Sequence, residues 1–153
     1  MVAVVTSTRP DDADRILDSL RRHLDQRRGI VAGVDDRVDR LAGLLSDFVL
    51  GGGKRLRPRF ALAGWSAASP ADAVVPDHII TACAALELIQ ACALIHDDIV
   101  DASDTRRGHP TVHRSIEAVH RAEGWGGDAG RYGVSQAILV GDLALTWADE
   151  MFV

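Results

Sequence analysis

The 153-residue sequence predicts an all-α protein, built as an antiparallel helical bundle. Apolar residues recur at intervals of three and four along most of the chain, which is the spacing of one face of an α-helix. Glycines, prolines and clusters of small polar residues separate these periodic segments. No segment alternates strictly between apolar and polar residues as a half-buried strand does, and the chain contains no internal repeat.

The first three predicted helices lie before residue 70. Asp11–Arg28 and Asp35–Leu50 each place aliphatic residues at helical spacing along one side. Arg59–Ala68 is a short third helix that ends before Pro70. The first two segments are strongly amphipathic, so each is expected to pack one face on a common core.

Three further helices are predicted in the rest of the chain. Asp77–Asp101 is long, nearly apolar and capped by its first residue. Thr111–Ala122 begins beside Pro110, because proline is favoured in the first turn of a helix. A glycine-rich loop over residues 122–133 precedes a last helix that begins at Ser135. We expect this last helix to continue to the end of the sequence, since no capping residue closes it.

Composition limits the compartment and the partners. Apolar residues make up 47% of the chain and the net charge is −5, with no long basic run, so no nucleic-acid partner is expected. Residues Met1–Ser7 lack the pattern of a signal peptide, and no stretch is expected to reach the roughly 20 apolar residues of a membrane span. Cys83 and Cys92 fall on opposite sides of one helix and read as small buried residues, which fits a reducing cytoplasm.

The fourth predicted helix carries a polar stripe on an otherwise apolar segment. At about 100° per residue, five polar residues fall within an arc of roughly 100°: Glu87, Gln90, Asp97, Asp98 and Asp101. Carboxylates crowded on a buried helix repel each other and lose hydration, and a hard divalent cation removes both costs. Mg²⁺ prefers oxygen ligands and commonly shares them with substrate phosphates. The stripe therefore predicts a Mg²⁺ site, although a solvated acidic helix end is the alternative.

Two adjacent arginines follow the aspartates. Guanidinium groups bind phosphate oxygens in fixed, bidentate geometry, so Arg106 and Arg107 are predicted to contact the metal-bound anion. The alternative is a solvated basic turn that balances the aspartates. His109 and His113 are four residues apart and resemble a zinc pair, but Pro110 between them favours a helix start instead.

A glycine run and a basic segment precede the acidic helix. Gly51–Gly53 frees backbone N–H groups to approach an anion, and Lys54 and Arg57 lie one helical turn apart. The spacing is not that of a P-loop. This segment is predicted to cradle a diphosphate, the alternative being a flexible connection with a basic tip.

Three of these segments, taken in order, resemble the N-terminal half of the trans-polyprenyl diphosphate synthases. They are GGGKRLRP (Gly51–Pro58), ELIQACALIHDDIVD (Glu87–Asp101) and RRGHPTVH (Arg106–His113). Gln136–Leu143 is also similar to the family's next helix, so the resemblance runs from about Asp47 onward. It implies the helical bundle of the isoprenoid synthases, a Mg²⁺ cofactor and, in full-length form, a homodimer. The implied reaction is condensation of isopentenyl diphosphate with an allylic diphosphate to form a longer trans-polyprenyl diphosphate.

The resemblance also implies a role for individual residues. The implied catalytic and metal-binding groups at the allylic diphosphate are three carboxylates, with one guanidinium that contacts the diphosphate: Asp97, Asp98, Asp101 and Arg106. The residues implied to bind isopentenyl diphosphate all carry hydrogen-bond donors: Lys54, Arg57, Gln90 and Arg107. Terpene cyclases share the fold and the aspartate motif but lack this second set, which argues against cyclisation.

The chain departs from the family in length. Family catalytic domains are considerably longer, and their second aspartate-rich motif has no counterpart here. We therefore expect residues 1–153 to be the N-terminal portion of a single prenyltransferase domain, with a leader and first helix over residues 1–34. We also expect this portion to be catalytically incomplete. The alternative is a non-catalytic subunit or regulatory partner of a full-length synthase.

Two small residues bear on product length. In the family, bulky aromatics four and five residues before the aspartate motif stop chain growth early. Ala93 and Cys92 occupy these positions. A product of C20 or longer is therefore expected.

Overall fold

The computed structural model describes residues 10–153, and within them it forms a helical bundle, as predicted. The six helices of this range are α1 (Pro10–Val31), α2 (Asp36–Leu50), α3 (Leu56–Ala68), α4 (Asp77–Val100), α5 (Val112–Ala122) and α6 (Ala129–Glu150). A short antiparallel hairpin of β1 (Thr105–Arg106) and β2 (His109–Pro110) lies between α4 and α5. The expectation for Met1–Ser7 falls outside the described residues.

Helix α4 is the centre of the bundle. It packs against α6, α1 and α3. Leu88 and Ile95 are fully buried at these contacts, and Leu20 of α1 and Leu62 of α3 close the core around them. Because α4 is fixed on several sides, the polar residues at its C-terminal end are held on a rigid element.

Two glycines of α6 allow the neighbouring helices to approach closely. A Cβ atom at Gly133 would collide with the backbone carbonyl of His113 in α5. A Cβ atom at Gly141 would collide with the imidazole of His96 in α4, whose Nε2 lies 3.2 Å from the carbonyl oxygen of Ile138. The backbone contact at Gly133 leaves no room for a side chain, so Gly133 sets the distance between α5 and α6, whereas the His96 ring beside Gly141 can rotate away.

Several predicted helix boundaries were wrong at the N-terminal end. Pro76, not Asp77, occupies the N-cap of α4, and the Asp77 carboxylate instead accepts a 2.7 Å hydrogen bond from Arg15. Pro110 lies in β2 rather than in a first helical turn, because the Gly-Pro segment folds back as a hairpin. Helix α3 begins at Leu56, three residues before the predicted start.

The last helix differs from the prediction at both ends. It begins at Ala129 instead of Ser135, because the carboxylate of Asp128 accepts a 2.9 Å hydrogen bond from the N–H of Arg131 and caps it. The loop before it is correspondingly short, and contacts among the rings of His120, Trp125 and Tyr132 pin it to α5 and α6. The helix ends at Glu150 in a turn, although we expected it to continue.

The expectation that no segment approaches a membrane span was wrong for α4. This helix of 24 residues is long and apolar enough to cross a membrane by length and composition alone. It also packs against the other five helices of the described range and buries nine residues: Ile80, Cys83, Ala84, Ala85, Leu88, Ala91, Cys92, Ile95 and Asp98. Such contacts are those of a core helix in a bundle, and hydropathy does not distinguish the two kinds of helix.

Candidate diphosphate site

The three aspartates at the end of α4 do not share one environment. Asp97 and Asp101 are exposed and lie one turn apart, so both project on the same side of the helix end. The side chain of Asp98 is only 2% exposed and points into the protein. The stripe predicted from the sequence therefore divides into two open carboxylates and one buried carboxylate.

Arg106 of β1 holds the buried carboxylate. Its Nε and Nη2 donate hydrogen bonds of 2.8 Å each to the two oxygens of Asp98. The bond to Asp98 also raises the pKa of the Arg106 guanidinium above its usual value. Both carboxylate oxygens of Asp98 thus accept hydrogen bonds from one guanidinium. Nη1 is the nitrogen of Arg106 that makes no hydrogen bond to Asp98.

Arg55 attaches the basic segment to α4. Its guanidinium donates a 2.7 Å hydrogen bond to Glu87 and a 3.2 Å hydrogen bond to the carbonyl oxygen of Val49, while its backbone adopts a left-handed conformation with φ 43°. Glu87 lies one turn before Gln90 on the polar stripe. Sequence reasoning missed this pair, although a half-buried Glu87 on an apolar helix indicates that a cation must lie nearby.

Arg107 joins the hairpin to the glycine run. Its Nη1 donates a hydrogen bond to the carbonyl oxygen of Gly52. A Cβ atom at Gly53 would lie 3.4 Å from the same guanidinium, and Gly53 has a φ of 144°, so only glycine suits this close turn. Arg107 itself has a left-handed backbone with φ 53°.

Together these contacts place the three predicted segments along α4, from its middle to its C-terminal end. The basic segment is bonded to α4 through Arg55, and the hairpin is bonded to α4 through Arg106 and to the glycine run through Arg107. Lys54 and Arg57 are exposed beside them, and Gln90 is half-buried on α4. Within residues 10–153, no side-chain hydrogen bond links Lys54, Arg57 or Gln90 to a protein group.

Arg106 and Arg107 also border a cavity. Its volume is about 400 Å³, and its apolar wall comes from Leu44 and Phe48 of α2 and Val112 of α5.

The donor set at the end of α4 fits a hard cation held by few protein ligands. No three His, Cys, Asp or Glu side chains converge to hold an ion anywhere in the described part of the chain. Asp97 and Asp101 offer two open carboxylates, and Mg²⁺ typically takes one or two and completes its shell with water and phosphate oxygens. His109 is exposed on β2 while His113 is buried in α5, so the two do not form a zinc pair.

The buried ring of His113 and the half-buried ring of His23 predict that stability depends on pH below neutrality. Burial lowers the pKa of His113 and of His23 below the unfolded value of 6.5. The unfolded chain therefore binds more protons than the folded chain below about pH 6.5, and stability is lost as pH falls through that window. We expect the free energy of unfolding in urea to be lower at pH 5.5 than at pH 7.5.

The histidine origin of this effect is tested by the double variant His23→Gln, His113→Gln. Its stability is expected to change less between the two pH values than that of the parent chain. Carboxylates whose pKa is lowered by arginine partners, such as Asp39 and Glu117, lose their contribution only at more acidic pH. An equal loss in parent and variant contradicts the assignment.

Comparisons with known proteins find similarity in both sequence and fold. The Polyprenyl synthetase family model matches residues 38–153. The geranylgeranyl pyrophosphate synthase of Corynebacterium glutamicum, solved with isoprenyl diphosphate and magnesium, is 47% identical with a TM-score of 0.86, over 92% of this chain and 40% of that one. The short chain isoprenyl diphosphate synthase of Methanocaldococcus jannaschii is 36% identical over 75% of this chain and 29% of that protein. The octaprenyl diphosphate synthase of Escherichia coli is 34% identical over 67% of this chain and 26% of that protein. The chain thus spans less than a third of the length of these two curated relatives.

Proposed function

Because the chain belongs to the polyprenyl synthetase family, we propose that it carries the diphosphate-binding residues of a Mg²⁺-dependent trans-prenyltransferase. The substrates are isopentenyl diphosphate and an allylic diphosphate, and the product is a longer trans-polyprenyl diphosphate. The observation that carries the proposal is the meeting of two cationic segments along α4, from Glu87 at its middle to the open carboxylates at its C-terminal end. That meeting depends on the bonds of Arg55, Arg106 and Arg107.

Each group has a distinct task in the proposed reaction. Bound Mg²⁺ supplies the positive charge that stabilises a departing diphosphate. Asp97 and Asp101 hold the ion on one side of the helix end. Asp98 fixes the guanidinium of Arg106, whose Nη1 contacts the allylic diphosphate. The second substrate is bound by exposed or half-buried donors: Lys54, Arg57, Gln90 and Arg107.

The chemistry needs no protein nucleophile. Ionisation of the allylic diphosphate leaves a carbocation, and the double bond of isopentenyl diphosphate attacks it before a proton is lost. The protein must therefore clamp two diphosphates in register and exclude water from the cation. Open carboxylates beside two basic segments favour substrate binding over the alternative of a purely regulatory partner subunit.

Product length depends on which side of α4 the growing chain follows. Cys92 is buried at the contact of α4 with α6, and its Sγ lies 3.8 Å from Nδ1 of His96. Ala93 is exposed and shares the side of Asp97, four residues on. Of the two small residues, Ala93 alone borders the open side. A methyl group there leaves space for a long product, which supports a length of C20 or more.

The first experiment measures diphosphate binding by the 153-residue chain. Isothermal titration with inorganic pyrophosphate is expected to give Mg²⁺-dependent binding that EDTA abolishes. The variant Asp97→Asn, Asp101→Asn is expected to bind at least about tenfold more weakly, because each lost ion contact is worth more than about 1 kcal/mol. Asp149→Asn removes an exposed carboxylate at the far end of α6 and is the matched control, expected to bind as the parent does.

A second measurement separates the two substrates. The variant Lys54→Ala, Arg57→Ala is expected to weaken binding of isopentenyl diphosphate while leaving Mg²⁺-dependent pyrophosphate binding in place.

In a product assay, the chain is incubated with Mg²⁺, labelled isopentenyl diphosphate and allylic primers of three lengths, and the products are sized. Binding that ignores both Mg²⁺ and the aspartates overturns the proposal.

A further inference from the structure

Thr111 occupies the N-cap position of α5, but its side chain makes no capping hydrogen bond. Threonine at this position normally accepts a hydrogen bond from the first turn, yet no such bond is formed by its side chain. Its hydroxyl instead donates to the carbonyl oxygen of Ser103, at 2.9 Å, across the base of the hairpin. Thr111 is 1% exposed, so this bond is shielded from water.

His113 completes a relay with this hydroxyl. Its Nδ1 lies 3.2 Å from Oγ1 of Thr111. Because the single hydroxyl proton goes to Ser103 at the shorter distance, Nδ1 carries the proton that Thr111 accepts. The ring is 4% exposed, and burial lowers the pKa of His113, which keeps the ring neutral. The order of donation is therefore His113 to Thr111 to Ser103.

The relay closes the turn that carries both site arginines. Ser103 is itself bonded to α4, since its N–H donates a 2.9 Å hydrogen bond to the carbonyl oxygen of Asp98. The N–H of Thr111 donates to the carbonyl oxygen of Asp104 at 3.1 Å, so the two ends of the turn are tied side by side. Between these ties the backbone of Arg107 is left-handed, a conformation that persists only when the surroundings impose it.

We propose that Thr111 and His113 are positioning residues, which act through the hairpin to aim Arg106 at Asp98 and Arg107 at the glycine run. Neither side chain is placed to touch a diphosphate, because both are buried beneath the turn. The positioning role rests on the proposed function only for the identity of the anion that the arginines bind. The effect on Arg106 is measurable without any ligand.

The ligand-free test follows the Nε–H proton of Arg106 by NMR. This proton is protected from exchange by its bond to buried Asp98, and its resonance is assigned by its loss in Arg106→Lys. Thr111→Val keeps the side-chain shape and removes the hydroxyl. It is expected to speed exchange about tenfold, as loss of one buried hydrogen bond predicts. Thr111→Ser restores the hydroxyl and is expected to restore protection.

Matched variants separate positioning from general destabilisation. Ile116→Val trims a buried side chain of α5 outside the relay, and it is expected to leave the exchange of the Arg106 proton unchanged. If Thr111→Val does not fold, His113→Leu breaks the same relay at its other side chain. Equal exchange rates in the relay variant and in Ile116→Val overturn the proposal.

Pyrophosphate titration of the same variants distinguishes this proposal from the proposed function. If both hold, Thr111→Val binds Mg²⁺-pyrophosphate about three- to tenfold more weakly, and Thr111→Ser and Ile116→Val bind as the parent does. If the parent chain binds no pyrophosphate, the proposed function fails while the exchange of the Arg106 proton still decides the positioning role.

Discussion

Replacing Arg106 with alanine is expected to lower the free energy of unfolding by about 3 kcal/mol, because it strands a buried carboxylate. Asp98 is 2% exposed and both of its oxygens accept hydrogen bonds from this one guanidinium. Without Arg106 the carboxylate must stay charged and unpaired or take up a proton, and both cost free energy. Urea unfolding at pH 7.5 measures the change.

Two further variants sharpen this test. Arg114→Ala removes a guanidinium that pairs with exposed Asp104 and with Glu117, and it is expected to cost less than Arg106→Ala, because Glu117 keeps Arg121 as a partner. Asp98→Leu combined with Arg106→Met replaces the pair by apolar groups and is expected to recover most of the stability. A loss in Arg106→Ala no larger than that in Arg114→Ala contradicts a buried, essential pair. Because Arg106→Ala is expected to lower stability, a loss of activity in this variant reflects impaired folding as well as a lost contact with substrate.

Gly133→Ala is expected to destabilise the protein by about 2–3 kcal/mol, because a methyl group there meets backbone rather than a movable side chain. The colliding atom is the carbonyl oxygen of His113, and Glu117 lies close behind it. Helices α5 and α6 must separate to admit the methyl group. Thermal and urea unfolding measure the loss.

Two other glycines provide the scale for this result. Gly64 lies in α3, and no atom lies within 4 Å of the place that an added methyl group would take, so Gly64→Ala is expected to stabilise the helix by about 0.5–1 kcal/mol. Gly141→Ala meets the imidazole of His96, a side chain that can rotate, and is expected to cost less than Gly133→Ala. Equal effects at Gly64 and Gly133 contradict the close contact of α5 with α6.

The helical bundle was predictable because its evidence is local. Aliphatic spacing in Asp35–Leu50 and in Asp77–Asp101 indicates helices that the structure confirms within one residue at either end. The hairpin over residues 105–110 was missed because Gly108 and Pro110 show only that α4 has ended. The same two residues are equally compatible with a loop, the start of a new helix or a tight turn. Only pairing with a neighbouring strand distinguishes these, and a two-residue strand has no periodicity to detect.

The site was predictable in its location more than in its internal order. The sequence places three aspartates on one side of a helix. Their angular positions around the helix axis do not show which of them a neighbouring element covers. Asp98 is buried because the hairpin returns across it, and no sequence pattern indicates the hairpin. Arg55 lies between Lys54 and Arg57 in the sequence but does not share their helical spacing. Its left-handed backbone directs its side chain away from the side on which we expected Lys54 and Arg57.

The two side-chain bonds of the hairpin close loops of very different lengths. Its bond to α4 joins residues eight apart in the chain, whereas its bond to the glycine run joins residues 55 apart. Closing the longer loop costs roughly 1.7 kcal/mol more in chain entropy. Chain entropy alone therefore favours formation of the Asp98–Arg106 pair before the contact of Arg107 with the glycine run. We expect the half of the site that contains this pair to form first during refolding, ahead of the half that contains the glycine run.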